Sequence, residues 1–189
     1  MIIRKIVVFA MLACLAACAR PASDVFRDPN MDFGTVQTIA VMPFSNQTRE
    51  QTAPDRVRDV FINRLLSTGG VYCLPIGEVK RGTTRAGISD PATPSPEEVV
   101  KFAAVVKADA VVVGSVKEYG DVRSGTAAAN VIAVSVQMME AQTGRVVWAA
   151  SATKGGVTMS DRLFGGGGEP MNIITEKAVD ELIYKLFHK

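Results

Sequence analysis

A single α/β domain, built on a mixed sheet of about five strands flanked by three helices, follows from three features of the sequence. In the first half, short apolar runs rich in β-branched residues alternate with stretches of helical period, an order that favours parallel neighbours. In the second half, alternating segments follow one another across a Thr-Gly turn, which adds antiparallel pairs. Between them, Ser95-Pro96-Glu97-Glu98 marks a helix start, with serine at the N-cap, proline at the first helical position and glutamate at the third.

Each element then follows in order. "TIAVMPF", Thr38–Phe44, predicts a buried strand that ends at Pro43. A polar loop leads to a helix opening at Asp55, in which Val57, Phe61 and Leu65 recur at four-residue steps with Val60 and Ile62 beside them. Gly69-Gly70 stop it after about three turns. "VYCLPI", Val71–Ile76, predicts a second strand, and residues 77–94, rich in Gly, Thr and Pro, a loop or a short broken helix. After the capped helix at 95–108, "DAVVVGSVKEYGDV" (109–122) is apolar throughout its first half and predicts a central strand. Gly114 inside it predicts close packing rather than a ligand contact.

Residues 130–156 predict a hairpin, with Val134, Val136 and Met138 on one arm, Val146 and Trp148 on the other, and Gly144 in the turn. The polar, alanine-rich 121–130 reads as a connector and "DRLFGGGGEP" (161–170) as a hinge. Ile173, Ile174, Ala178, Leu182, Ile183 and Leu186 mark an amphipathic C-terminal helix. There are no internal repeats.

The amino terminus is a leader. Arg4 and Lys5 precede an uncharged apolar run, Ile6–Ala17, which is too short to span a bilayer as a helix but fits a secretory signal peptide. Leu15-Ala16-Ala17-Cys18 has the pattern of a bacterial lipobox, in which small residues fit the peptidase cleft and the thiol accepts a diacylglycerol. Cys14 is the rival, but it places Leu12 where a small residue is preferred and shortens the apolar core. Residues 1–17 are thus the expected leader, 18–36 a flexible tether and 37–189 the folded domain. With Cys18 lipidated and its amine acylated (palmitate is the usual third chain), three chains anchor the protein to the lipid bilayer, where two already suffice. Ala19, rather than Asp, after the cysteine points to the outer membrane, with the domain facing the periplasm. The tether, fully extended, would reach about 50–60 Å at about 3.3 Å per residue.

Charge and cysteine usage narrow the function. Of 21 basic residues, the two in the leader are lost, leaving 19 against 19 acidic ones. Zero net charge without a basic run argues against a nucleic-acid partner. Cys73 is the single cysteine left after cleavage and lipidation, so no intramolecular disulfide is expected, and its apolar strand predicts a buried thiol.

Catalytic groups are scarce. His188, the sole histidine, lies beside the terminus and is a poor general base. Glu97 and Glu98 sit in a helix's first turn, where negative charge favours the dipole. The glycines at 165–168 are followed by Glu169 and Pro170, not by the Lys-Ser/Thr of a phosphate loop. No catalytic residue, metal site or cofactor is expected.

Three stretches carry a family resemblance: "IAVMPFSNQT" (39–48), "KADAVVVGSVKEYG" (107–120) and "MMEAQTGRVVWAAS" (138–151). In this order behind a lipobox they resemble the CsgG family of curli-assembly lipoproteins and its relatives, the penicillin-binding-protein activator lipoproteins and the amino-terminal domain of TolB. The resemblance covers most of residues 38–187. It implies a mixed α/β sheet flanked by helices and a non-enzymatic role in envelope assembly, secretion or activation of other enzymes. Curli-type channels add two amphipathic hairpins per subunit, and the short segments here do not supply them, since each membrane strand needs about 9–11 residues. The expected function is therefore an assembly, adaptor or regulatory module that binds envelope proteins or itself. Leu163 and Phe164 in "DRLFGG" are the candidate contact. A channel subunit and an envelope enzyme are the alternatives; the first needs spanning strands, the second a base or a phosphate cradle.

Overall fold

The computed structural model describes residues 24–124, 127–156 and 168–188. Seven strands and four helices follow one another as β1 (Val25–Arg27), β2 (Thr38–Val41), β3 (Ser45–Asn46), α1 (Ala53–Ser67), β4 (Tyr72–Cys73), α2 (Ile76–Ala86), α3 (Pro96–Val106), β5 (Ala110–Ser124), β6 (Ala127–Glu140), β7 (Val146–Gly155) and α4 (Met171–Phe187). The strands form one sheet in the order β1-β7-β6-β5-β2-β4, with β3 also paired to β5. Pairs β2–β4, β2–β5 and β3–β5 are parallel, whereas β5–β6, β6–β7 and β1–β7 are antiparallel. The α/β class and the mixed sheet are as expected, and β5 is central.

Two strands and one helix exceed the expectation. β1 and β3 hold three and two residues, too few for a periodicity to register. α2 occupies the stretch expected as a loop or broken helix. Its Val79, Thr83 and Ala86 are buried, and Gly87 closes it in a left-handed conformation at φ 68°. The glycine that weakens its helical signal has a packing purpose. A Cβ on Gly82 would lie 2.3 Å from Val106 and 2.8 Å from Phe102, so only glycine lets α2 and α3 approach this closely.

The stretch expected as a tether, 18–36, also differs. Val25, Phe26 and Arg27 pair with Ala150, Ala149 and Trp148 of β7. The short strand is held by side chains as well as by its ladder. Arg27 donates to the Leu186 carbonyl at 2.7 Å and lies 3.8 Å from the centre of the Phe33 ring. Lys185 Nζ donates to Asp24 Oδ2 at 2.7 Å, to Glu181 Oε1 at 2.6 Å and to the Ser151 carbonyl at 2.8 Å. The Lys185 hydrogen bond holds the Asp24 carboxyl below its ordinary range. The Arg27–Leu186 and Asp24–Lys185 bonds join residues 159 and 161 positions apart, which local composition cannot show.

One face of the sheet is covered by α1 and α4. Val57, Phe61 and Leu65 of α1, at the predicted four-residue steps, are buried with Ile174, Ala178 and Leu182 of α4 against Ile39, Val112, Ile132, Val134, Val136, Met138 and Trp148. The predicted alternation holds along β6. On β7 it breaks, because a register shift between Met138 and Met139 leaves Val146 packed toward the second cluster while Trp148 enters the first. That second cluster, on the opposite face, packs Val79, Val99, Phe102 and Ala103 of α2 and α3 over Ala40, Met42, Leu74 and Val111.

Gly114 is a packing glycine. A Cβ there would sit 2.8 Å from three atoms of the Phe44 ring, which in turn makes an edge contact with Phe61 at 6.1 Å between centroids. Gly114→Val is expected to destabilise the domain by about 1–3 kcal/mol through overpacking, read as a lowered urea midpoint without change of slope.

Residues 121–130, read from sequence as a connector, instead continue β5 and β6. Asp121 pairs with Asn130 and Ser124 with Ala127, in a two-stranded ribbon above the level at which β7 ends. The alanines and short polar residues carry no alternation of the kind that marks a strand with one apolar face, although Ala129 is buried beside Gly168.

Candidate interaction surface

The groups that sequence analysis discounted as catalytic have structural partners. His188 stacks on Tyr184 at 4.2 Å between centroids and its Nδ1 lies 3.1 Å from the Tyr184 carbonyl. Cys73 is buried, and burial pushes its thiol up to about 11, which keeps it protonated and poorly nucleophilic. Ser95 and Glu98 form the predicted capping box: the serine amide donates to Glu98 Oε2 at 2.8 Å, and the Glu98 amide to Ser95 Oγ at 3.3 Å. Glu97 accepts from the Ser95 hydroxyl at 2.8 Å. Among the described residues, no group of three or more His, Cys, Asp or Glu is placed to hold a metal ion, and no helix is long and apolar enough to cross a membrane.

Arg58 is the one buried basic side chain among the described residues. Its Nε and Nη2 both donate to the Val41 carbonyl, at 3.1 and 2.5 Å. Burial lowers its pKa, opposed by nearby Asp59 and Asp55. The guanidinium thus terminates β2 where the chain leaves the sheet toward Pro43, a structural duty.

What stands open is half of one sheet face. α2 and α3 cover β2, β4 and the lower part of β5, while α4 covers β6 and β7 from the other side. On the α2–α3 side of β6, β7 and β1, the outward positions are Ser135, Gln137, Ala149, Ser151, Thr153 and Phe26. Gln137 and Thr153 are exposed, and Phe26 is 49% exposed at the edge. Asp24 and Lys117 border a shallow groove over this surface.

Register organises the patch. Ser45 pairs with Ser115, Ser115 with Ser135, and Ser135 with Ser151, so one row of serines crosses four adjacent strands. Short side chains at every position of that row leave the sheet flat, without a ridge of its own. Ser45 donates to the Gly114 carbonyl at 3.4 Å, and the buried Ser115 Oγ has no hydrogen-bond partner among the described residues. A flat patch of small polar residues beside an exposed aromatic can take a complementary protein surface; it brings together no nucleophile and base.

Sequence reasoning missed this patch. Its serines are separated by 70, 20 and 16 residues, and only strand register puts them in line. Alternation along β6 does point Ser135 and Gln137 away from the core, but no signal in the sequence says whether a helix covers them. The predicted site residues Cys18, Leu163 and Phe164 lie outside the described residues.

Comparison with known proteins places this geometry. The family model described as "Putative lipoprotein GNA1162-like" matches residues 32–184. No curated protein matches the sequence. Among solved structures, the PelC dodecamer from Paraburkholderia phytofirmans is similar with a TM-score of 0.57 at 16% identity, over 85% of this chain and 95% of that one. Lipoprotein GNA1162 from Neisseria meningitidis is similar with a TM-score of 0.57 at 17% identity, over 79% and 97%. The LpoB C-terminal domain from Salmonella enterica has a TM-score of 0.50 at 17% identity, over 67% and 87%. At these identities the solved structures show a shared α/β fold. The family model spans most of the chain, from before β2 into α4, and on that basis the chain belongs to the GNA1162-like lipoprotein family.

Proposed function

We propose that this protein is a non-catalytic outer-membrane lipoprotein, anchored through Cys18, whose periplasmic domain serves as an assembly, adaptor or regulatory module for envelope or secretion machinery. The observation that carries this reading is the open half of the sheet, a flat surface in an otherwise two-sided α/β domain. Membership of a lipoprotein family supports the anchor, and a PelC of the same fold assembles as a dodecamer, which supports self-association or partner docking. The kinship with curli-assembly lipoproteins drawn from residues 39–48, 107–120 and 138–151 is part of this proposal.

A spanning channel is the weaker reading. The ribbon above β7 has four residues on each arm, 121–124 and 127–130, against the roughly 9–11 that a membrane strand needs.

The test is a pair of charged substitutions on the open face, Ser135→Arg and Ala149→Glu, compared with wild type by in-cell crosslinking and native mass. Both outward positions should accept the change with a melting temperature within a few degrees of wild type. Loss of the crosslinked assembly from both variants supports docking there; an unchanged assembly removes this face from the interface. A ring of one subunit would identify self-assembly, and a defined second protein an adaptor.

A further inference from the structure

Two consecutive residues of β1 serve opposite faces of the sheet. Phe26 borders the groove on the open face, together with Gln137 and Ala149. Arg27 turns to the face that α1 and α4 cover. There it lines a pocket of about 90 Å³ with Phe33, Val71, Met138, Leu186 and Phe187. The pocket lies at the end of the sheet away from the ribbon, and Phe187 on its rim is 44% exposed. Its walls are apolar apart from the guanidinium, and it has room for one side chain rather than a length of backbone.

A projecting phenyl ring and an apolar hole on one chain, on opposite faces, form a contact that repeats from copy to copy. The two stand at similar heights. Phe26 is level with Gln137, Arg27 with Met138, and Ile39, the deepest-set strand residue of the pocket, with Ala110. They thus differ by one to three residues, about 3–10 Å along the strands. Copies related by rotation about an axis along the strands therefore meet with little rise, which closes a ring instead of a filament. The charges match in kind. Lys117 borders the groove and Asp32 stands beside the pocket mouth, and neither forms an ion pair among the described residues. Arg27 likewise has no carboxylate partner there; its guanidinium donates to the Leu186 carbonyl.

We propose that the open face takes a second copy of this chain, with Phe26 of one copy seated in the neighbour's pocket between Arg27, Val71 and Phe187, and that the copies close into a ring. This deepens the docking reading of the open face and rests on it. β1 runs antiparallel to β7, so the chain enters it from the ribbon side in every copy. A ring of this kind turns all the amino termini the same way, so that every Cys18 meets one bilayer.

The full chain carrying Phe26→Cys and Val71→Cys, treated with a short thiol crosslinker in intact cells, tests this. β1 and β4 end the strand order on opposite sides, so this link cannot form within one copy, and the buried Cys73 does not react. Denaturing gels should show a ladder of dimer, trimer and higher species from the double variant. Each single variant should stay monomeric, and the two single variants expressed together should stop at a dimer. Phe26→Asp should melt within a few degrees of wild type and reduce the native mass of the extracted protein to that of a monomer. A dimer from Phe26→Cys alone would set two β1 edges against each other. A folded double variant without a ladder, or a Phe26→Asp protein that keeps its assembly, would leave the pocket without this occupant. Each of these results overturns the proposal. If the ladder is absent while Ser135→Arg still abolishes a crosslinked assembly, the open face docks a different protein: the docking reading stands and the ring falls.

Discussion

Trp148→Ala is expected to destabilise the domain by about 3–5 kcal/mol, against a total stability of about 5–15 kcal/mol for a domain of this kind. Trp148 is fully buried on β7 and packs with Val136, Ala178 and Leu182 in the cluster that joins the sheet to α1 and α4. Its indole Nε1 donates to the Lys185 carbonyl at 3.3 Å, and its backbone pairs with Arg27 of β1. Truncation leaves a large cavity under α4 and removes a donor to the last turn of that helix. The loss is measured by urea unfolding followed by circular dichroism, since the single tryptophan disappears with the substitution. Trp148→Phe keeps most of the apolar volume and should cost clearly less. Equal midpoints for the two variants would show that indole volume does not hold β7 to α4.

Cys18→Ala, introduced behind a leader that needs no lipidation, is expected to move the protein from the membrane fraction into the soluble periplasmic fraction. Three acyl chains hold a protein on a bilayer indefinitely on its working timescale, and no helix among the described residues is long and apolar enough to span one. The melting temperature should not change, because Cys18 is six residues ahead of the first residue tied to the sheet, Asp24. The comparison is made on processed protein, with the amino terminus of both forms verified by mass. A processed alanine variant that still pellets with membranes would assign the anchoring to something other than the lipobox cysteine.

Long periodic elements are legible in the residue pattern itself. The four-residue spacing of Val57, Phe61 and Leu65, the capping box at Ser95, the central strand from Asp109 and the Thr-Gly hairpin all stand where that pattern puts them. Their physical basis is local: each side chain's burial follows from the repeat of its own element, except on β7, where the register shift breaks it. α2 is obscured by Gly82, a residue that weakens an isolated helix and is required by the neighbour it crosses.

Local sequence settles the α/β class, the helices with strong caps or stripes, the packing duty of Gly114 and the balance of charge. The rest follows only from tertiary contacts. Three residues of β1 acquire their place through Lys185, Arg27 and a strand far later in the chain, so part of the stretch expected as a tether belongs to the sheet. The serine row exists only once four strands are in register. Whether the outer side of β6 is core or surface depends on where α2 and α3 come to rest, which is set by contacts distant in sequence and not by the alternation of the strand itself.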